Sequence, residues 1–407
     1  MRKDLTMMTP QDVIDREDRF LAHNYHPLPV VLAKGDGVWV WDTEGNKYLD
    51  FLSAYSAVSA GHHNPRILKA MATQVEKLGV PSRAFYTDVL GEFAERLCQV
   101  TGMDRMLPMN TGAEAVETAI KAARRWGYRV KGIKDNKARI IVCNGNFHGR
   151  TTTIVGFSSD ADYRAGFGPF SSGFDSIPFG DYDALERAIT PDTCAFLVEP
   201  IQGEGGIIIP PDGYLRRAQE LCRNQNVLLI LDEIQTGLSR TGKDFCFQYE
   251  IDKPDGLTLG KALGGGVYPV SAFLARADVM DVFEPGSHGS TFGGNPIAAA
   301  IGLEALALIA DDHYSQRSFE LGEYLRGKLE ALQSPLIREV RGKGLLIGME
   351  IYTNQVSARS ICEALKTRGV LCKETHETTI RFAPPLIITQ EQIDWAVGEV
   401  ADVLSSL

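Results

Sequence analysis

The chain has 407 residues, 44% of them apolar, enough to bury a large core split between two domains. Its net charge of −10 and pI of about 5.4 argue against general binding to nucleic acid or to an anionic membrane. No apolar run reaches the roughly 18 residues that a membrane span needs. Seven cysteines (98, 143, 194, 222, 246, 362 and 372) are scattered and odd in number, with no CxxC and no His/Cys cluster at metal spacing. They are expected to be mostly reduced and buried, in a cytoplasmic compartment.

Along the chain, residues 1–19 mix acids and bases and lack the apolar core of a signal peptide. Residues 37–42 and 47–51 flank Thr43-Glu44-Gly45-Asn46 and predict a hairpin. A helical pattern covers 112–131. Short β-branched runs at 139–143, 195–198 and 227–231 read as buried parallel strands. Helical stretches at 214–224 and 295–310 lie after them. From about residue 315 the pattern changes to a helix at 316–332, strands at 337–341, 344–351 and 379–382, and two more helices. The prediction is an α/β protein with a mostly parallel central sheet flanked by helices, plus a smaller α+β domain. The expected division is an N-terminal segment of the small domain at 1–50, a large domain at 51–312 and the rest of the small domain at 313–407.

Ligands of such sheets bind beyond the carboxyl ends of the strands. Asp232, Glu199 and the loop from Asn144 all follow predicted strands and are expected to converge there. His62-His63 lacks a third ligand at suitable spacing, so no metal is expected. No strand-linked GxGxxG opens the chain, which disfavours a dinucleotide site.

Asp232 closes the apolar run 227–231, and Lys261 sits in the glycine-rich turn 260–266. A lysine that bonds an aldehyde and an aspartate that pairs with a protonated pyridine nitrogen are what a pyridoxal-phosphate site requires. Asn110-Thr111-Gly112-Ala113 opens a helical pattern, whose free N–H groups suit a phosphate. Further motifs are Phe147-His148-Gly149-Arg150-Thr151, Glu199-Pro200-Ile201-Gln202-Gly203-Glu204-Gly205-Gly206 and Ser290-Thr291-Phe292-Gly293-Gly294-Asn295-Pro296.

In order and spacing these runs resemble the class III aminotransferases of PLP-dependent transferase fold type I, over nearly the whole chain. The resemblance implies pyridoxal 5′-phosphate as cofactor, with Lys261 and Asp232 as the catalytic pair. It assigns the cofactor phosphate to Gly112 and Ala113, and to Thr291 from a partner subunit, hence a homodimer with shared sites. It places Phe147 on the cofactor ring and Gln235 on the ring's phenolic oxygen. His148 occupies a position where relatives carry His or a bulky aromatic, and no chemistry is assigned to it. Arg150 resembles a clamp for a substrate carboxylate. The runs around Tyr25 and Tyr55 are similar to those of the ornithine-specific branch, which implies L-ornithine as donor and 2-oxoglutarate as acceptor. Glu204 and Arg381 suggest a switch, in which Glu204 masks Arg381 for one substrate and releases it for the other. The remaining alternatives are an acetylornithine or broader ω-amino-acid aminotransferase, and a catalytically silent scaffold of the same fold.

Overall fold

The computed structural model describes residues 8–354 and 356–407; residues 1–7 of the expected N-terminal segment lie outside the described residues. Its central sheet has seven strands: β1 (Arg105–Met109), β2 (Arg139–Cys143), β3 (Phe174–Ile177), β4 (Thr193–Val198), β5 (Leu228–Asp232), β6 (Gly256–Leu259) and β7 (Ser271–Ala275). They lie in the order β1-β7-β6-β5-β4-β2-β3. The run from β6 to β3 is parallel, whereas β7 is antiparallel to both β6 and β1. Strands β4 to β7 are buried along their whole length. This is why β4 and β5 read as unbroken apolar runs rather than as alternating ones. Strand β1 gave no such signal because Pro108 interrupts it; at the sheet edge a residue without an N–H is tolerated.

The two ends of the chain meet outside this sheet. Leu32–Asp36, Trp39–Asp42 and Lys47–Asp50 form an antiparallel set, and the short strand Val370–Leu371 adds to it in parallel. The Asp42 carboxylate holds the hairpin turn by accepting from the N–H groups of Glu44 and Asn46, each at 2.9 Å. A second four-stranded sheet joins Ile337–Lys343, Leu346–Ile351, Thr379–Phe382 and Lys373–Thr375. One apolar cluster, including Leu49, Phe51, Leu325, Ile347, Phe382 and Val400, packs these segments together. Two other clusters cover the central sheet.

Helix boundaries follow local chemistry. The helix Tyr214–Asn224 coincides with its predicted span. The helix Gly112–Trp126 starts at a capping box between Thr111 and Glu114 and ends in a wider turn over Gly127–Lys131. The helix Tyr314–Glu330 begins two residues ahead of the predicted start, after His313 in a left-handed conformation. No helix among the described residues is long and apolar enough to cross a membrane. His62 hydrogen-bonds Asp50 at 2.7 Å, and no group of three or more metal-ligating side chains occurs among the described residues. All seven cysteines are free.

Candidate active site

The carboxyl ends of β2, β4, β5 and β6 open on a cavity of about 210 Å³. Each strand delivers a side chain to it. Strand β5 ends on Asp232, β4 leads to Glu199, the loop after β2 carries Phe147 and His148, and the turn after β6 carries Lys261. The first residues of the helix Gly112–Trp126 close another side. Lys261 has a positive φ of 47°. A left-handed conformation at a residue with a Cβ is strained, and surrounding structure must impose it. Gly260 and the glycines at 264–266 give the chain room to do so.

Burial pushes the Lys261 ammonium down to about 8; the opposing charges of Glu204 and Arg381 act in opposite senses on it. Turned with its oxygen toward the two cations, the Gln235 amide accepts from Lys261 Nζ at 3.1 Å and from Arg381 Nη1 at 3.2 Å. Asp232 is buried, and both of its oxygens are engaged. Oδ1 accepts from the Ile234 N–H at 3.1 Å and Oδ2 from His148 Nδ1 at 2.7 Å. Burial alone would lower the imidazole's pKa, but the bond to Asp232 and the nearby carboxylates outweigh it and raise it. Its other nitrogen, Nε2, is buried without a partner. Burial pushes Glu199 up to about 7, against the charge of His148. Glu199 accepts from the N–H groups of Phe147 at 2.9 Å and Gly203 at 3.2 Å, so it orients the loop that carries the Phe147 ring.

Arg381 is 1% exposed and bound in a fork by Glu204, at 2.5 and 2.9 Å. Burial would raise the Glu204 carboxyl, but the Arg381 charge and both hydrogen bonds hold it at about 2. Folded-state protonation therefore trails the unfolded chain. The pair's stabilisation is complete above 4.5, the carboxyl's ordinary value, and is lost as pH falls toward 2. The Tyr55 ring lies over the Arg381 guanidinium at 5.0 Å.

The cavity thus gathers Lys261, Asp232, Gln235, Phe147, Gly112, Ala113 and Glu204, with Arg381 and Tyr55 directly behind them. Within one chain it does not gather the other three predicted residues. Tyr25 is 77% exposed, Arg150 is exposed and stacks on the Tyr163 ring at 3.6 Å, and Thr291 lies in a separate hollow beside Arg83 and Pro296. The contact of His148 with Asp232 was not legible in the sequence, since 84 residues separate them. Tyr163 was missed too, because nothing in its neighbourhood signals a stacking partner for Arg150.

These residues suit a flat, phosphorylated pyridine. The cap of the helix Gly112–Trp126 uses the N–H groups of Asn110, Thr111 and Glu114, which leaves those of Gly112 and Ala113 for an anion. A Cβ on Gly112 would sit 2.9 Å from Ile234 Cδ1, so only glycine lets the backbone approach here. The buried carboxylate of Asp232, held by the His148 imidazole at 2.7 Å, matches a cationic ring nitrogen.

The family model for class-III aminotransferases matches residues 20–404. The chain is 58% identical to the ornithine aminotransferase of Brevibacillus brevis, over 96% of this chain and 98% of that protein. Its structure is similar to that of the ornithine aminotransferase from Toxoplasma gondii, with a TM-score of 0.96 and 45% identity, covering 98% of this chain and 96% of that one. It is also similar to the acetylornithine aminotransferase of Elizabethkingia anophelis, with a TM-score of 0.90 and 47% identity over 98% of this chain and all of that one.

Proposed function

This chain belongs to the class-III aminotransferases, and from that premise we propose that it transfers the δ-amino group of L-ornithine to 2-oxoglutarate, yielding glutamate 5-semialdehyde and glutamate. Bound in the cavity, pyridoxal 5′-phosphate supplies an aldehyde that takes up the amino group and a ring that draws electrons from the amine-bearing carbon. Lys261 holds the cofactor and then moves the proton at that carbon, a task suited to an amine whose pKa lies at about 8. Asp232 keeps the ring nitrogen protonated and His148 keeps Asp232 charged and oriented. Phe147 packs on the ring, Gln235 meets its phenolic oxygen, and Gly112 and Ala113 hold the phosphate. Thr291, supplied by a second copy of the chain, completes the phosphate site in a homodimer.

The observation that carries the substrate reading is the buried pair of Glu204 and Arg381. The free amine end of ornithine requires a pocket without an exposed cation, and the paired form provides one. 2-Oxoglutarate needs a cation for its second carboxylate, and Arg381 becomes one when Glu204 swings away. Arg150 receives the ornithine carboxylate, Tyr25 holds its α-amino end and Tyr55 helps shape the pocket. The acetylornithine reading competes because Arg150 serves both substrates. The family relationship and the intact pair of Lys261 and Asp232 disfavour a silent scaffold.

A single half-reaction separates the donors. L-Ornithine or N-acetylornithine is added to cofactor-loaded protein without any oxo-acid, and loss of the yellow absorbance is followed. Rapid bleaching by ornithine with a cyclised imine product is expected; preference for the acetylated donor would reassign the substrate. Arg150→Ala is expected to raise the KM for ornithine by roughly 10- to 100-fold, as for a lost charged hydrogen bond, with little effect on a monoamine that has no carboxylate. Equal losses would contradict the clamp. Glu204→Ala is expected to expose Arg381 and shift reactivity toward α-transamination of glutamate; an unchanged ratio of donors would remove the switch. Gly203→Ala would place a Cβ 1.5 Å from the Gln235 amide. It is expected to displace that amide and weaken cofactor binding at least about tenfold in an absorbance titration.

Sheet membership supports a small domain built from residues 1–50 and 313–407 around a large domain at 51–312. The free cysteines and the lack of a membrane-crossing helix among the described residues suit a cytoplasmic enzyme.

A further inference from the structure

Arg240 lies outside the cavity, and its side chain is fully buried. Its guanidinium donates to four neutral oxygens. Nη1 reaches the carbonyls of Leu345 at 2.9 Å and Pro384 at 2.6 Å. Nη2 reaches the hydroxyls of Ser53 at 3.3 Å and Ser59 at 3.0 Å. Both hydroxyls pass the contact on, Ser53 to the Ala383 carbonyl at 2.5 Å and Ser59 to the Ser56 carbonyl at 2.9 Å.

These partners enclose an unusual piece of backbone. Ser53, Ala54, Tyr55 and Ser56 have φ values of 43°, 47°, 58° and 75°. A left-handed run without glycine is unfavourable at every residue and persists only when its surroundings over-determine it. Tyr55 sits in the middle of this run, over Arg381. Arg381 in turn belongs to the strand Thr379–Phe382, and Ala383 and Pro384 follow directly. Burying a guanidinium on uncharged acceptors is costly, and an apolar side chain would fill the same volume more cheaply. What an apolar side chain lacks is a rigid planar fork able to hold four oxygens in a fixed array. A lysine, with one nitrogen, cannot reproduce that array either.

We propose that Arg240 is a positioning residue for donor recognition, clamping the Ser53–Ser56 turn to the end of the strand that carries Arg381 and thereby fixing Tyr55 against the guanidinium. The inference rests on the substrate roles proposed for Tyr55 and Arg381. It accounts for a left-handed turn that its own sequence does not favour, and for a buried cation that no step of the reaction uses.

The test compares the cofactor-loaded parent with Ser53→Ala/Ser59→Ala and with Arg240→Lys; the serine variant removes the hydroxyl arm without unburying a charge. Hydrogen exchange by mass spectrometry is read in peptides covering 53–59 and 379–386, with β5 as the internal reference. Faster exchange in both peptides and none in β5 is expected, together with a roughly tenfold higher KM for ornithine, kcat within about twofold and an unchanged cofactor titration. Unchanged exchange in the two peptides overturns the inference, whichever donor the enzyme prefers. Parallel losses of kcat, KM and cofactor affinity mark a general loss of structure and overturn it too. A parent enzyme that ignores ornithine but shows the exchange pattern would remove the proposed substrate and leave the clamp standing.

Discussion

Lys261→Ala is expected to lower turnover at least ~10⁴-fold, the upper range for loss of a general acid–base group. The cavity would survive, because the neighbours that line it are buried and held by their own hydrogen bonds. The variant should therefore still take up the cofactor, but release it on extended dialysis, whereas the parent retains it. The amine's depressed pKa adds a sign that can be checked. Burial lowers Lys261 from the ordinary lysine value of 10.5 to about 8. Above that pH the amine is neutral and nucleophilic; below it the proton blocks attack. Capture of the cofactor by apoprotein should rise with pH and be half-maximal at about 8, by absorbance stopped flow. Substantial turnover in the alanine variant, or capture that is flat with pH, would remove Lys261 from its role.

Asp232→Asn is the second large effect. The substitution keeps the shape but removes the charge that faces the ring nitrogen. It also leaves His148, which is fully buried, without its carboxylate. Breaking a buried charge pair costs about 3–5 kcal/mol, which corresponds to roughly a hundredfold to a few thousandfold in rate. The loss should fall on kcat, with the melting temperature of the apoprotein changed little, since an asparagine oxygen can still accept from the His148 ring nitrogen. A kcat within tenfold of the parent would mean that the ring nitrogen is not held by Asp232. His148→Ala should reproduce part of the kcat loss and none of the loss in ornithine affinity.

These two residues were legible because local chemistry marks them. A carboxylate ending an unbroken apolar run suits the mouth of a buried strand, and the motifs around it, in the order of the class III aminotransferases, set Asp232 apart from a helix cap. A lysine among glycines marks a turn, and the resemblance of the surrounding motifs singled out Lys261; its left-handed backbone was seen only in the structure. The central sheet was legible at β2, β4 and β5, whose apolar runs are nearly unbroken; β3 was not legible in the sequence, nor were β6 and β7 although both are buried along their whole length, nor β1, which Pro108 interrupts. The helix Gly112–Trp126 was legible from its helical pattern behind Asn110-Thr111-Gly112-Ala113, whereas its capping box was seen only in the structure.

Pairings across distance left no local trace. His148 meets Asp232 from another strand end, and Arg240 gathers oxygens from both ends of the chain; the pairing of Glu204 with Arg381, 177 residues apart, was expected only through the family resemblance. The left-handed turn at Ser53–Ser56 contains no glycine, so no residue type predicts it; it is held by groups from outside the turn, among them Arg240 and the Asp50 carboxylate. Sequence by itself determined which chemistry the chain carries, because propensity, burial and capping act between neighbours. Tertiary structure decided how the groups are oriented and which distant groups meet, His148 with Asp232 and Arg240 with its four oxygens, because those energies arise between segments that meet only after folding.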